Sequence, residues 1–130
     1  MKTLIVEDEV TSRLLLQEFL KPYGGVHTVA DGKQAIGAVR AALESGDGYD
    51  LVCLDIMMPG MDGYQTLREI RRLEEERGIL SSRGAKIVMT TALDRVGNVF
   101  EAFRNLCDDY LFKPIDRAQL LERLMKLQLI

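Results

Sequence analysis

Five short strand-like runs alternate with five segments of helical period, and no other feature constrains the fold of this chain so strongly. The runs fall at 2–6, 26–30, 51–54, 86–90 and 109–112. Between them apolar residues recur at three- and four-residue spacing, the pattern of a helix with one face on a core. The first such segment, 10–21, carries Val10, Leu14, Leu15, Phe19 and Leu20, and Pro22, Gly24 and Gly25 stop it. The second, 33–44, carries Ala35, Ile36, Val39, Ala42 and Leu43. Asp62 is placed to cap a third over 63–77, with Leu67, Ile70, Arg71 and Leu73 in sequence. Val96, Val99, Phe100, Phe103 and Leu106 mark a fourth, and Asp116 caps a fifth bearing Leu120, Leu121, Leu124 and Leu127. Strands alternating with helices of this length form a parallel sheet covered on both faces. Right-handed crossovers leave few topologies, and for five strands the expected order is 2-1-3-4-5. The expected fold is therefore α/β: a doubly wound five-stranded parallel sheet with five helices. A chain of 130 residues suits one domain with one core, spanning 1–130.

In that order the first and third strands are neighbours, and open α/β sheets bind ligands in the crevice at the carboxyl ends of such strands. The residues arriving there are polar. Strand one ends in Glu7 and Asp8, strand three in Asp55, strand four in Thr91 and strand five in Lys113. Three carboxylates held together repel one another, and a hard cation with oxygen ligands neutralises them. Mg2+ suits the set, because it accepts one or two carboxylates, keeps several waters and also binds phosphate. A phosphoryl group on Asp55 would offer one oxygen to the metal, one to the Thr91 hydroxyl and one to the Lys113 ammonium. Such a cradle supplies what phosphoryl transfer requires, positioning and charge neutralisation, with Asp55 as the nucleophile. Taken alone, Asp55 reads equally well as a strand-end cap, and Thr91 as plain strand propensity. Their alignment with Asp8 and Lys113 favours the site.

The totals exclude other classes. A net charge of -3 provides no broad basic surface for nucleic acid. No apolar stretch approaches the roughly 20 residues that span a bilayer. Acids at positions 7 and 8 follow too soon for a secretory leader. Cys53 and Cys107 read as two buried, reduced thiols of a cytoplasmic protein. His27 lies on the second strand, away from the carboxyl ends, and reads as a surface or satisfied histidine. The charged stretch 71–77 reads as a helix end projecting into water. The apolar C-terminus, Leu127, Leu129 and Ile130, reads as packing back on the sheet.

Four motifs fall in order on the expected elements: Glu7-Asp8; Asp55 followed by Met-Met-Pro59-Gly-Met-Asp-Gly63; Thr91-Ala92; and Tyr110-Leu-Phe-Lys113-Pro114. In combination they resemble the receiver domain of the two-component response-regulator family, over nearly the whole chain. The resemblance implies a flavodoxin-like fold and a role for each matching position. Asp55 resembles the phosphoacceptor, Asp8 the direct Mg2+ ligand, and Glu7 the second acid, acting on the metal through water. The backbone carbonyl of Met57 is implied as a further ligand. Thr91 resembles the switch hydroxyl, Lys113 the phosphate-binding lysine, and Tyr110 the aromatic that swings inward when the threonine moves. Pro114 is expected to follow a cis bond.

The resemblance also implies partners. A sensor histidine kinase or histidine phosphotransfer protein would charge Asp55. An output protein would read the face made by the fourth helix, fifth strand and fifth helix, where Arg95, Asn98, Glu101, Asn105 and Arg117 are candidate contacts. The chain would be no enzyme beyond its own phosphorylation and dephosphorylation, and a monomer or a phosphorylation-linked homodimer. The receiver is expected to take up the whole chain and to act without an output domain of its own; the sequence is otherwise a piece of a longer regulator, although Met1 directly before the first strand favours a natural start.

Two departures from the family pattern carry consequences. The acidic pair is Glu-Asp rather than the commoner Asp-Asp, so one arm is longer. The positions two past Asp55 and two past Thr91 are Met57 and Leu93, which in the family flank the water that hydrolyses the phosphoryl group. Neither side chain can orient a water by hydrogen bonding, so slow self-dephosphorylation is expected. Two rival readings stand beside the switch. A phosphohydrolase of the haloacid-dehalogenase type would need a second acid where Met57 stands. A phosphorylation-independent interaction module would usually lack a site residue, whereas all are present.

Overall fold

The computed structural model describes residues 1–80, 82–92 and 106–130. The chain runs β1 (Thr3–Val6), α1 (Val10–Leu20), a 3-10 turn (Lys21–Tyr23), β2 (Val26–Val29), α2 (Gly32–Glu44), β3 (Leu51–Asp55), α3 (Gly63–Glu76), β4 (Lys86–Ala92), β5 (Asp109–Lys113) and α4 (Arg117–Lys126). The strands form one sheet in the order β2-β1-β3-β4-β5, and every neighbouring pair is parallel. Four α-helices thus stand among the described residues. The helix expected over 96–106 falls, except for Leu106, outside them, as do Leu93, Arg95, Asn98, Glu101 and Asn105.

Every residue of β1 and β3 is buried, which is why these strands read as unbroken apolar runs. Strand alternation then divides the core in two. Leu4, Val6, Val52, Leu54, Ile87 and Met89 face one side, against Ala35 and Val39 of α2 and Leu67 and Ile70 of α3. Ile5, Cys53, Val88 and Leu111 face the other, against Leu16 and Leu20 of α1 and Leu120 and Leu124 of α4. Burying each such leucine or isoleucine contributes about 1.5–3 kcal/mol.

Three helices begin with the same local device. Asp31, Asp62 and Asp116 sit at the N-caps of α2, α3 and α4 and accept hydrogen bonds from the backbone of Gln34, Gln65 and Gln119 at 2.9, 2.9 and 3.1 Å. The glutamine three residues after each cap is the second half of a capping signature. At α2 it is used: Gln34 Oε1 accepts from Ala30 N at 2.9 Å.

The structure corrects two expectations from helical spacing. In α1 the residues facing the sheet are Leu16 and Leu20, whereas Val10, Leu14 and Leu15 are 57%, 54% and 41% exposed. At about 100° per residue, the turn that points Leu16 inward sends Leu14 to the far side. Five apolar positions were more than one buried face can hold. Correspondingly, Cys107 is only partly buried.

The second correction concerns the charged end of α3. Glu75, Glu76 and Arg77 are exposed, but Arg71 and Glu74 are buried, at 7% and 2% exposure. Arg71 Nη1 donates to Glu74 Oε1 and to the Ala85 carbonyl, both at 2.8 Å. Its Nε reaches the Leu106 carbonyl at 2.7 Å and its Nη2 reaches Asp108 Oδ2 at 3.0 Å. Glu74 Oε2 in turn accepts from Ala85 N at 2.8 Å. The network joins α3 to the start of β4 and to the segment entering β5, and its charges satisfy one another instead of facing water. The other C-terminal expectation holds in part: Leu127 and Leu129 pack on the core, while Ile130 is 41% exposed.

Removing one partner of a buried ion pair leaves an uncompensated charge, which costs about 3–5 kcal/mol. Arg71→Ala is therefore expected to lower the stability measured by urea unfolding by about that amount. A loss below about 1 kcal/mol would show that Glu74 and Asp108 do not depend on it.

Candidate functional site

The carboxyl ends of β1, β3 and β5 converge on one cleft of about 500 Å3, lined by Glu7, Asp8, Glu9, Asp55, Met57, Ala92 and Lys113. The pairing order creates it: Val6 lies beside Leu54, and Ala92 beside Lys113. Asp55 is the last residue of β3 and is 2% exposed. Gly63, at the first turn of α3, lets that helix start against the end of this strand. A Cβ there would strike the Asp55 carbonyl oxygen and Ile56 Cα, and Gly63 N donates to the Ile56 carbonyl at 2.9 Å. The Met-Asp-Gly stretch thus turns the chain tightly back and holds the loop after Asp55 in place.

Carboxylate oxygens of Glu7, Asp8 and Asp55 all lie within 4.8 Å of one another. Lys113 Nζ sits 2.7 Å from Glu7 Oε1 and 3.4 Å from Asp55 Oδ2. The closer approach is an ion pair without hydrogen-bond alignment, so Glu7 Oε1 remains a buried acceptor lacking a hydrogen-bond donor. Backbone groups fix the rest. Met57 N donates to Asp55 Oδ1 at 3.2 Å, Glu9 N to Glu7 Oε2 at 3.2 Å, and Arg13 Nη1 to the Glu7 carbonyl at 3.0 Å. Asp8 is exposed and has no ion-pair or hydrogen-bond partner among the described residues.

This crowding moves protons. Burial, reinforced by the hydrogen bond and charge of Glu7, raises Asp55 from the usual carboxylate range to about 7, against the opposing pull of Lys113 and the Met57 N–H. Burial disfavours the Lys113 charge, but Glu7 and Asp55 outweigh that, and its pKa is raised. The cleft therefore holds more negative charge than one lysine balances. Its donors are all oxygens. That set fits a hard divalent cation such as Mg2+, which prefers carboxylates and water and takes few protein ligands.

The other expected site residues lie around the cleft rather than in it. Thr91 is fully buried, and its hydroxyl donates to the Ala92 carbonyl at 3.2 Å. It is Ala92, the small residue after it, that lines the cleft. Strand β4 continues through both, because Thr91 and Ala92 pair with Phe112 and Lys113 beyond the apolar run. Tyr110 is 38% exposed, with its ring packed edge-on to Phe112 at 5.5 Å. The Lys113–Pro114 bond is cis. His27 is satisfied by Tyr49 Oη at 2.7 Å from its Nδ1. Glu9 was not singled out by sequence, although the acidic run Glu7-Asp8-Glu9 carried the signal. Arg13, which holds the Glu7 backbone, had no signal beyond its helical spacing from the acids.

Comparison with known proteins agrees with this geometry. The model of the response regulator receiver domain family matches residues 3–125. The chain is 36% identical, over 96% of its length, to hybrid signal transduction histidine kinase L of Dictyostelium discoideum, and 37% identical, over 97%, to the transcriptional regulatory protein TcrA of Mycobacterium tuberculosis. It spans 7% and 45% of those two proteins. Among solved structures it resembles the receiver domain of a Pseudomonas aeruginosa sensor histidine kinase with a magnesium ion in its active-site cleft. The TM-score is 0.75 and the identity 31%, covering 96% of this chain and 94% of that one. It also resembles the receiver domain of the Arabidopsis thaliana histidine kinase CKI1 complexed with Mg2+ and BeF3-. There the TM-score is 0.80 and the identity 26%, covering 98% and 89%. With a family match over almost its full length and an acidic cleft at the expected strand ends, the chain belongs to the response regulator receiver domain family.

Proposed function

We propose that this receiver is a phosphorylation-activated switch in a two-component phosphorelay, with Asp55 as its phosphoacceptor. The observation that carries the proposal is the cleft itself: Glu7, Asp8 and Asp55 clustered within 4.8 Å, with Lys113 Nζ 3.4 Å from Asp55 Oδ2. In the reaction an Asp55 carboxylate oxygen forms a bond to phosphorus. The P–N bond of a phosphohistidine breaks, and the imidazole leaves with the bonding pair and takes up a proton. The phosphohistidine belongs to a sensor histidine kinase or a histidine phosphotransfer protein.

The residues divide the work. Asp8 is exposed with no competing partner among the described residues, which supports it as the direct metal ligand. Glu7 is already committed to Lys113 and to Glu9 N, which supports a contact through water. Asp55 and the Met57 carbonyl complete the ligand set. Mg2+ bound there would supply charge neutralisation for the transferring phosphoryl oxygens. Lys113 pairs with one phosphoryl oxygen, giving up part of its hold on Glu7. The Thr91 hydroxyl, bonded only weakly to Ala92, turns to another. Tyr110 then moves inward and alters the face that includes β5 and α4, where a protein partner reads the state. The phosphohydrolase reading loses further ground, because Met57 is apolar and 50% exposed where that chemistry needs an acid.

Transfer from a phosphorylated histidine phosphotransfer protein tests the reading. Intact-protein mass spectrometry is expected to show one phosphoryl group, dependent on Mg2+ and absent in Asp55→Asn. A wild-type chain that stays unmodified would favour the interaction module instead. Once formed, the phosphoryl group is expected to last minutes or longer, since Met57 cannot position water, and Met57→Asn is expected to shorten its life. Decay of the wild type within seconds would contradict this. Proton and metal also compete at Asp55. Below about pH 7 the carboxyl holds its proton, so Mg2+ affinity is expected to rise as pH increases through that value, by up to about tenfold per unit while one proton is displaced. Calorimetric titrations at several pH values read the slope, and Asp55→Asn is expected to flatten it.

A further inference from the structure

A second cavity, of about 360 Å3, lies at the opposite end of the sheet, where β3 and β4 begin. Its volume is within the range of small-molecule sites, about 300–1,000 Å3. The floor is apolar: Val39 and Leu43 from α2, Ile79 from the loop after α3, and Leu129 after α4.

The charged lining is unbalanced in a specific way. Two acids, Asp50 and Glu74, face three cations, Arg77, Arg83 and Lys86. Both acids are engaged by other groups. Glu74 is bound by Arg71 and by Ala85 N, each at 2.8 Å. Gly84 allows Glu74 this close approach, since a Cβ at that position would strike its carboxylate. Asp50 Oδ2 accepts from Lys2 N at 2.7 Å. The cations are barely engaged. Arg77 Nη2 is 3.7 Å from Glu44 Oε1, and Lys86 Nζ is 3.9 Å from Asp108 Oδ1. Lys86 Nζ has a long 3.5 Å contact to the Ser82 carbonyl. The Arg83 side chain has no ion-pair or hydrogen-bond partner among the described residues.

An apolar floor below a weakly compensated cationic rim selects its ligand by chemistry. A metal ion would find, among the described residues, only the Asp50 carboxylate free of an ion pair, with three cations beside it. A bare anion would lose hydration over the apolar floor without return, and a neutral apolar molecule would leave the rim unused. We propose that this cavity is a binding site for a small amphipathic anion: an apolar body on the floor of α2 and Leu129, and a carboxylate or phosphate monoester against Arg83, Arg77 and Lys86. The site is separate from the Asp55 cleft and does not depend on its function.

Amide NMR of the full 15N-labelled chain tests the proposal, with four probes: octanoate, phenyl phosphate, inorganic phosphate and benzyl alcohol. Saturable shifts are expected at Val39, Leu43, Gly48 and Ala85 with octanoate, phenyl phosphate or both, and the better amphiphile names the headgroup. Inorganic phosphate and benzyl alcohol are expected to bind at least about tenfold more weakly, a difference of about 1.4 kcal/mol. Arg83→Glu, at an exposed position, is expected to weaken the amphiphile by about fivefold or more, the scale of a surface charge pair. The proposal is overturned if neither amphiphile shifts these amides, if benzyl alcohol binds as well as octanoate, or if Arg83→Glu binds undiminished. Shifts confined to the Asp55 cleft would also overturn it.

Discussion

The structure turns on the placement of two buried carboxylates, Asp55 and Glu7, beside a single lysine. Buried charge is stable only when paired, and one ammonium does not balance two acids with a third, Asp8, at the mouth. The deficit appears as a proton held on Asp55 to about pH 7. A proton, a divalent cation and a phosphoryl group with its cation are alternative answers to the same imbalance. The parallel order serves this end, because only neighbouring β1 and β3, with β5 two strands away, bring Glu7, Asp55 and Lys113 to one rim. Gly63 then lets α3 start close behind Asp55, so that the Met57 N–H reaches its carboxylate.

The same strand carries anchors at both ends. Asp108, entering β5, is held by Arg71 and accepts from Ile87 N at 2.7 Å. Lys113, ending β5, is held by Glu7 and Asp55. Between them Asp109 pairs with Arg123 of α4 at 3.2 Å. A charge added at Asp55 therefore acts at one end of a strand whose other end is pinned to α3 through Asp108 and to the last helix through its first residue, Asp109. That arrangement gives a local electrostatic event a route to the β5 and α4 surface, the kind of coupling a two-state element requires.

Much of this was legible in sequence, for physical reasons that differ by element. The sheet order followed from alternating periods, because β1 and β3 are buried on both faces and, Thr3 apart, admit no polar residue before their carboxyl ends. The acids and Lys113 were legible because they interrupt apolar runs where a parallel sheet places its ligands. Asp62 and Asp116 are legible as caps, and the glutamine three residues on, shared by α2, α3 and α4, marks the same starts. Periodicity alone could not phase α1, where apolar residues surround more than one face: Leu16, Phe19 and Leu20 pack on the core, whereas Val10, Leu14 and Leu15 are exposed. Nor could composition distinguish the buried Arg71–Glu74 pair from the solvated charges after it, since the two look alike until Asp108, 34 positions beyond Glu74, is brought alongside. Thr91 is fully buried with its hydroxyl on the Ala92 carbonyl, a side-chain direction that strand spacing does not specify.

A crystal structure of the protein with Mg2+ and beryllofluoride, a stand-in for the phosphoryl group, tests the central claim most directly. The account predicts beryllium bonded to an Asp55 carboxylate oxygen and the metal on Asp8 and Asp55. It also predicts that Lys113 Nζ turns from Glu7 to a fluoride and that the Thr91 hydroxyl leaves the Ala92 carbonyl. Beryllofluoride bound elsewhere, or Lys113 unmoved from Glu7 with Asp55 loaded, would contradict it.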